Sequence, residues 1–210
     1  MPLWCRQLRA SAPLAFLLAS LAGCAFIDPF VLAAKGISIS IDARTKEDVE
    51  NDVAIETSCH ADLLRDDKTE WVGVTPLVFA RHVVLAGTVK TDAARTRAEK
   101  LLREDRRIQR LVNALKVIRK PGDEGSFLED TATDFKINAV LTATRGVGSI
   151  NMRWKTTNGH VVLMGIAQSW PEFRVTVAKV KALDGVKSVK IYLRVVPPRK
   201  ETLAPSQRTS

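Results

Sequence analysis

The chain has little cysteine, which limits how its domains can be stabilised. Its 210 residues include three cysteines, and two of these lie within the first 24 positions, which leaves Cys59 as the single thiol in the body of the chain. One thiol excludes an intramolecular disulfide and a cysteine-rich metal site there. Cys59 stands on a predicted helix beside His60, and a lone small residue in that setting is expected to pack rather than to react.

Long hydrophobic runs are also scarce. The longest useful run, from Ala10 to Ala19, is shorter than the roughly 20 apolar residues that a membrane-spanning helix needs. Arg6 and Arg9 precede this run, as in a secretory leader. Leu21-Ala-Gly-Cys24 follows it and resembles the bacterial lipobox, in which the cysteine carries diacylglycerol. The sequence therefore predicts a leader over residues 1–23 and lipidation of Cys24, and Ala25 favours export to the outer membrane under the enteric sorting rule.

Acidic residues are outnumbered by basic ones. The formal net charge is +9, and loss of Arg6 and Arg9 with the leader would lower it to +7. An exported basic protein favours anionic partners such as phospholipid headgroups, whereas cytosolic nucleic acid is out of its reach.

An internal repeat divides the body of the chain into two copies of one unit. The segment His82-Val-Val-Leu-Ala-Gly87 matches His160-Val-Val-Leu-Met-Gly165, an offset of 78 residues. Without a gap, the same offset places Ile108, Leu111, Leu115 and Val117 on Val186, Val189, Leu193 and Val195.

The second copy shows the order of elements most clearly. Apolar residues at i, i+3, i+4 and i+7 predict a helix over Asp130 to Thr144. Alternation over Ser149 to Thr157 predicts a strand that buries Ile150, Met152 and Trp154. Asn158-Gly159 favours a tight hairpin, so Val161 to Ala167 is expected to return antiparallel.

The remaining part of the second copy completes an α-β-β-α-β order. Ser169 caps a helix that has Pro171 in its first turn and Glu172 three residues after the cap. Asp184-Gly185 ends that helix, and alternation from Val189 to Val195 predicts the last strand. The fold class is therefore α+β, with a three-stranded mixed sheet packed on two helices in each unit.

The first copy repeats this order with less regular patterns. A helix is predicted over Lys46 to Arg65, followed by a strand segment, Trp71 to Ala80, in which Pro76 marks an edge or a bulge. His82 to Val89 and Leu111 to Ile118 are the other predicted strands, separated by a helix. The expected layout is a lipidated tether over 24–45, a first domain over 46–119, a linker over 120–128, a second domain over 129–197 and a disordered tail over 198–210.

These patterns resemble the BON domain (bacterial OsmY and nodulation). The resemblance rests on Asn158-Gly-His-Val-Val-Leu-Met-Gly165 at the hairpin and on Ala178, Ala182, Gly185, Val186 and Val189 before and within the last strand. A lipobox followed by two such units is similar to the dual-BON envelope lipoproteins of the DolP (YraP) kind. The resemblance implies a non-catalytic protein, without cofactors beyond the lipid on Cys24, anchored at the periplasmic face of the outer membrane.

The resemblance further implies that the second unit binds anionic phospholipid and that the protein supports envelope integrity. In such proteins the first helix of the second unit meets the bilayer through an aromatic residue near its start. Ala132 occupies the aligned position here. The contact is therefore expected from Phe127, Leu128 or Phe135, with Lys136 and Arg145 as headgroup partners.

The first copy departs from the family pattern. Arg107 stands where the second copy has Gly185, and Ala80-Arg81 replaces the Asn-Gly turn. These departures predict a degenerate, structural copy. Its last strand carries Val112, Ala114 and Ile118 on a face that needs a cover, and the neighbouring unit is the nearest candidate.

A second surface competes for the role of binding site. Arg153, Lys155, Lys190 and Arg194 are expected on the sheet face opposite the helices of the second unit. Such a face is an ordinary solvated surface or an anionic-lipid site. His82 and His160 each open a hairpin strand without a nearby carboxylate or nucleophile at motif spacing, and we expect them to be exposed strand-start residues.

Three classes of function follow. The first is a phospholipid-recognising envelope lipoprotein. The second is an adaptor that docks on an outer-membrane assembly or secretion component without recognising lipid. An enzyme is the third, and no sequence motif supports it.

Overall fold

The computed structural model describes residues 42–197. The predicted leader, Cys24, most of the tether and the tail over 198–210 lie outside the described residues. The described part contains two tandem α+β units, as the repeat predicts. The first unit consists of α1 (Lys46–Asp66), β1 (Val74–Phe79), β2 (His82–Val89), α2 (Asp92–Leu102), β3 (Arg110–Asn113) and β4 (Lys116–Val117). The second consists of α3 (Phe127–Ala143), β5 (Met152–Thr157), β6 (His160–Ala167), α4 (Trp170–Lys181) and β7 (Ser188–Val195).

Each unit has one mixed sheet with the second hairpin strand at its centre. β2 pairs antiparallel with β1 and parallel with β3 and β4, and β6 pairs antiparallel with β5 and parallel with β7. Pro76 lies on the edge strand β1, where its missing N–H costs no ladder hydrogen bond on the sheet side. Asn158 and Gly159 adopt φ of 49° and 70°, which confirms the predicted hairpin turn.

Polar caps begin the helices where the sequence places them. The hydroxyl of Ser169 accepts a hydrogen bond from the amide of Glu172 at 3.2 Å. The Glu172 carboxylate accepts from the backbone amides of Gln168 and Gly148, at 2.6 and 2.8 Å, so it ties the start of α4 to the loop after α3. A capping box closes on Thr45 and Asp48 at the start of α1.

Three predicted strands differ from the structure. The strand predicted over Trp71 to Ala80 is shorter, because the chain is still in a turn before Val74. The strand predicted from Ser149 begins at Met152, because Ser149–Asn151 forms a turn of 3-10 helix. Asn151 is buried there and accepts a hydrogen bond from the amide of Ala43 at 2.7 Å, so the expected burial of Ile150 is wrong and its side chain is 44% exposed. The last strand of the first unit is interrupted at Asn113, whose side-chain oxygen accepts from the amide of Leu115 at 3.2 Å.

The predicted linker and tether are shorter than expected. Helix α3 begins at Phe127, capped by Ser126, so the last two residues of the linker over 120–128 are helical. Arg44, at the end of the predicted tether over 24–45, donates to the Asp52 carboxylate at 2.9 Å. Its guanidinium also lies 4.5 Å from the centre of the Phe79 ring.

Three apolar clusters hold the described residues together. One lies between the helices and the sheet of each unit. The third lies between the two sheets, and its buried members are Leu77, Phe79, Val84, Ala86, Ala114, Val162, Met164 and Ile166. Ala114 is buried in this cluster and Val112 packs against it, which confirms that the second unit covers the outer sheet face of the first.

Candidate functional site

The start of α3 carries the exposed apolar side chains that the sequence singles out. Phe127 and Leu128, in the first turn, are 77% and 78% exposed. The chain enters this turn through Gly125, which has a φ of +78° and would place a Cβ 2.6 Å from the backbone of Asn158. The Asn158 side chain donates to the Gly122 carbonyl at 3.1 Å and so holds the entry loop against the hairpin.

One face of α3 is apolar and faces solvent. Its opposite face is buried through Asp130, Thr133, Ile137 and Leu141. The sequence leaves open whether Phe135 faces the core, and the structure shows it 70% exposed. Leu128, Ala132, Phe135 and Ala139 follow one another at intervals of four, three and four residues, so they share one exposed helix face. We call these four residues together with Phe127 the α3 apolar face.

The two predicted headgroup cations lie at different distances from this face. Lys136 is exposed in the middle of α3, and its Nζ lies 3.5 Å from the carbonyl oxygen of Asp184. Arg145 follows the end of the helix. At 1.5 Å per residue it is about 27 Å along the axis from Phe127. The structure therefore groups Lys136 with the apolar face and separates Arg145 from its start.

A second cation, Lys187, lies near Lys136. Both line a groove between the start of α3 and the loop before β7, where the carboxylates of Glu129, Asp130 and Asp184 also lie. Lys187 Nζ lies 2.7 Å from the side-chain oxygen of Asn158. Sequence patterns did not single out Lys187, because its position beside α3 depends on the tertiary fold.

A buried carboxylate fixes the start of α3 to the hairpin. Asp130 accepts hydrogen bonds from the amides of Asn158 and Gly159 at 2.7 and 2.9 Å. In the first unit Asp52 accepts from the amides of Ala80 and Arg81, both at 2.7 Å. The 78-residue offset aligns Asp52 with Asp130. An aspartate at the same position of both copies is therefore the sequence feature from which this contact could have been predicted.

The residue equivalent to Gly185 has a charged side chain in the first unit. Arg107 replaces the glycine there and donates to Asp105 at 2.6 Å. Its guanidinium hydrogen-bonds hold the pKa of the Asp105 carboxyl below its usual value. In the first unit the corresponding groove is therefore lined by an ion pair, Arg107 with Asp105, where the second unit has Gly185.

The four cations of the alternative basic face do not share an open surface. Arg153 packs 5.5 Å from the centre of the Phe79 ring of the first unit, and burial, with the nearby charge of Arg44, lowers its guanidinium pKa. Lys155 forms an ion pair with Asp134 at 3.2 Å. Lys190 is exposed, whereas Arg194 lies in the cleft between the two sheets. The first unit covers much of the face that the alternation predicts.

The residues that could suggest catalysis lie in unreactive settings. Cys59 is 1% exposed in the core of the first unit, and burial raises the pKa of its thiol to about 12. His82 and His160 are half-buried rather than fully exposed, and His160 Nδ1 lies 2.7 Å from the Ser188 hydroxyl. Within residues 42–197, no group of three or more metal-ligating side chains comes together.

No helix among the described residues is long and apolar enough to cross a membrane. Cys24 lies outside the described residues, so its lipidation stays a prediction.

Comparisons with known proteins place both units in one family. The model of the BON domain matches residues 51–119 and 129–197. The chain is 30% identical over 145 residues to the osmotically-inducible protein Y of Escherichia coli, a match that covers 69% of this chain and 72% of that protein. It is 34% identical over 125 residues to an uncharacterised protein of Anaplasma centrale, encoded in a gshII 5′ region, covering 58% and 81%.

Among solved structures, the fold is similar to CdsD, a structural protein of the type III secretion system of Chlamydia trachomatis. The identity is 19% and the TM-score 0.26, over 70% of this chain and 64% of that one. The C-terminal domain of the same protein matches with a TM-score of 0.27.

Proposed function

Because this chain belongs to the BON-domain family, as a tandem of two such domains, we propose that it is a non-catalytic protein of the bacterial envelope. In this proposal it is a periplasmic lipoprotein of the DolP-like kind, held on the outer membrane by a lipid on Cys24. Its second BON unit binds anionic phospholipid through the α3 apolar face, and the protein thereby supports envelope integrity.

The observation that carries this proposal is the exposure of Phe127, Leu128 and Phe135. Three large apolar side chains, each at least 70% exposed, lie within three turns of one helix. Soluble surfaces rarely concentrate such residues unless another surface meets them. Side chains of this kind are stabilised when they enter the interface between the headgroups and acyl chains of a bilayer.

Two exposed lysines beside the α3 apolar face are the candidate contacts for an anionic headgroup. Lys136 and Lys187 line the groove there together with the carboxylates of Glu129, Asp130 and Asp184. Each cation near a negatively charged membrane surface contributes about 1 kcal/mol of attraction. The apolar face would therefore supply insertion, and the two lysines would select the charge of the headgroup.

Anchorage on Cys24 completes the mechanism. A single weak interfacial contact gives reversible binding, and stable attachment takes two signals. The lipid would supply one signal and α3 the other. The tether between them would keep α3 at a high local concentration near the membrane.

A second candidate function is favoured by the spacing of the α3 apolar face. Along this face Leu128 and Phe135 alternate with Ala132 and Ala139 at intervals of four, three and four residues, a pattern that suits close packing of a partner helix. In that case the chain is an adaptor for an outer-membrane assembly or secretion component, without direct lipid recognition.

Vesicle sedimentation of residues 25–210, which removes the anchor, tests the proposal. We expect binding to vesicles of phosphatidylglycerol and phosphatidylethanolamine, and none to phosphatidylcholine. The key variant combines Leu128→Glu with Phe135→Thr, which installs the first unit's own residues at these positions. Burial of one such side chain contributes about 1.5–3 kcal/mol, so partial burial of two predicts at least a tenfold loss of binding.

The matched control combines Val53→Thr with Leu64→Thr on α1. These residues are 60% and 54% exposed, and the second unit has threonine at both equivalent positions. The control should bind vesicles like the parent. If the parent binds no vesicle of any composition but binds an envelope protein through α3, the adaptor function is correct and lipid recognition is not.

A further inference from the structure

The two sheets pack face to face with an approximate twofold relation. The chain of the first unit places His82 and Arg110 at the start of neighbouring strands β2 and β3. Arg194, at the end of β7, lies close enough to both to shift the pKa of His82. The residue equivalent to His82 in the second unit is His160, and the residue equivalent to Arg194 in the first unit is Lys116. These two residues also interact electrostatically. The same pairing of a histidine with a cation of the other unit therefore occurs at both ends of the interface.

At one end of the interface, His82, Arg110 and Arg194 line a single cleft between the sheets. Its apolar floor includes Phe79 and Val112. Neither arginine forms an ion pair or a side-chain hydrogen bond with any residue of 42–197. Both guanidinium groups thus line this cleft without a side-chain partner among the described residues, Arg194 half-buried and Arg110 exposed.

This arrangement is unfavourable without a counter-charge. Burial, and then the charge of Arg110, lower the pKa of the Arg194 guanidinium. Burial, and then Arg194 and Arg110, lower the pKa of His82, while the Asp52 carboxylate acts in the opposite direction. Asp52 is already engaged by Arg44 and by two turn amides. An anion in the cleft would neutralise this repulsion.

The opposite end of the interface provides an internal reference. There the equivalent residues are His160, Ser188 and Lys116. His160 Nδ1 and the Ser188 hydroxyl lie 2.7 Å apart, and the positive charge around His160 comes from the ammonium groups of Lys116, Lys187 and Lys190. Arg110 stands in place of that serine, and Arg194 in place of Lys116. Two planar guanidinium forks can each donate two parallel hydrogen bonds to the oxygens of a phosphoryl group, which ammonium groups cannot do.

We propose that the cleft between the two BON units is a binding site for a phosphoryl group, with Arg110 and Arg194 as its bidentate donors and His82 as a third donor. The first unit supplies two of these residues and the second supplies one. Binding therefore links the two units and stabilises their packing. The site lies on the opposite side of the second sheet from α3, so it can be lost independently of the α3 apolar face.

Thermal unfolding and calorimetry of the purified chain test the site, with inorganic phosphate and glycerol 1-phosphate as probes. Phosphate should raise the unfolding midpoint, whereas chloride at equal ionic strength should not. Arg110→Ser, which installs the residue of the opposite end, should weaken phosphate binding at least about tenfold. Arg194→Gln should do the same, and the matched control Lys116→Gln should bind phosphate like the parent.

The phosphate-free measurement separates binding from simple structural support. Removal of one charge from an unneutralised cluster relieves repulsion, so Arg110→Ser should unfold at a higher temperature than the parent in phosphate-free buffer. Phosphate binding that survives in both arginine variants, or no binding in the parent, would overturn the site.

The source of the phosphoryl group is resolved by competition. If vesicles of phosphatidic acid displace phosphate from the Leu128→Glu/Phe135→Thr variant, the ligand is a lipid headgroup. If they do not, while glycerol 1-phosphate does, the ligand is a soluble phosphate ester. Both results support the site, and both are independent of binding through α3.

Discussion

The first helices of the two units share their buried faces and differ on their outer faces. Both bury an aspartate that holds the hairpin turn, Asp52 in α1 and Asp130 in α3. On the outside, the second unit has Phe127, Leu128 and Phe135 where the first has Val49, Glu50 and Thr57. At two of these three positions the first unit is therefore polar where the second is apolar. The difference supports the proposal that the interaction surface lies on the second unit.

The largest expected effect concerns a feature that both units share. Gly87 and Gly165 adopt φ of +112° and +129°, and a Cβ would lie 1.8 and 2.1 Å from the carbonyl oxygens of Gly73 and Asn151. Gly87→Ala and Gly165→Ala should each lower the free energy of unfolding by at least about 3 kcal/mol. Denaturant titration measures this loss. If one of the two variants lost little free energy of unfolding, glycine would not be required at the equivalent position of both units.

Charging the interface should have the next largest effect. Ala114 is 3% exposed between the sheets, whereas Tyr192, its equivalent in the second unit, is only half-buried. Ala114→Glu would bury an unpaired carboxylate and should cost about 3 kcal/mol or separate the units. Small-angle scattering should then show a more extended particle. Tyr192→Glu is the matched change, and it should leave the scattering profile nearly unchanged.

The turn carboxylates should differ in their contributions. Asp52→Ala and Asp130→Ala each leave two amide donors without their acceptor, which costs about 1–3 kcal/mol. Asp52→Ala should be the more destabilising of the two. It also removes a partner of Arg44, and the turn that Asp52 holds contains no glycine, since Ala80 and Arg81 adopt positive φ. Chemical denaturation of both variants gives the comparison. Equal losses would contradict the stronger dependence of the first turn.

The smallest expected effect has opposite signs in the two units. Ala80 has a φ of 49°, a conformation that costs a residue with a Cβ about 1 kcal/mol. Ala80→Gly should therefore stabilise the protein by about 0.5 kcal/mol after the loss of chain entropy. Asn158→Gly should instead destabilise it, because the Asn158 side chain binds the Gly122 carbonyl and Lys187. Differential scanning calorimetry can resolve the two signs.

Local sequence signals predicted the order of elements because short-range physics determines them. The Asn158-Gly159 turn, the Ser169 cap and the alternation of β6 and β7 each depend on neighbours along the chain. The repeat then assigned the weaker patterns of the first unit. The 3-10 turn before β5 and the break at Asn113 escaped prediction, because in each case the asparagine side chain makes a specific contact that periodicity does not encode.

The candidate surfaces were predicted to different extents. Alternation correctly placed Arg153 and Arg194 on the face opposite the helices, but it could not reveal what covers that face. The expectation that Val112 and Ala114 need a cover was correct. The cover is the face of the second sheet that lies opposite its own helices. The phosphoryl cleft could not be predicted from either copy alone, since its residues come from both.

The near-symmetrical contact between the sheets gives the chain the character of a homodimer contained in one polypeptide. Two separate BON units joined by this surface would come apart on dilution, and each binding surface would be present twice by symmetry. Fusion of the two copies removes the first weakness, because the linker keeps the partners together at a high effective concentration. Fusion also allows the two halves to have different sequences. In this chain one half carries the apolar face of α3 and the other carries Arg110, so each half has a surface that the other lacks.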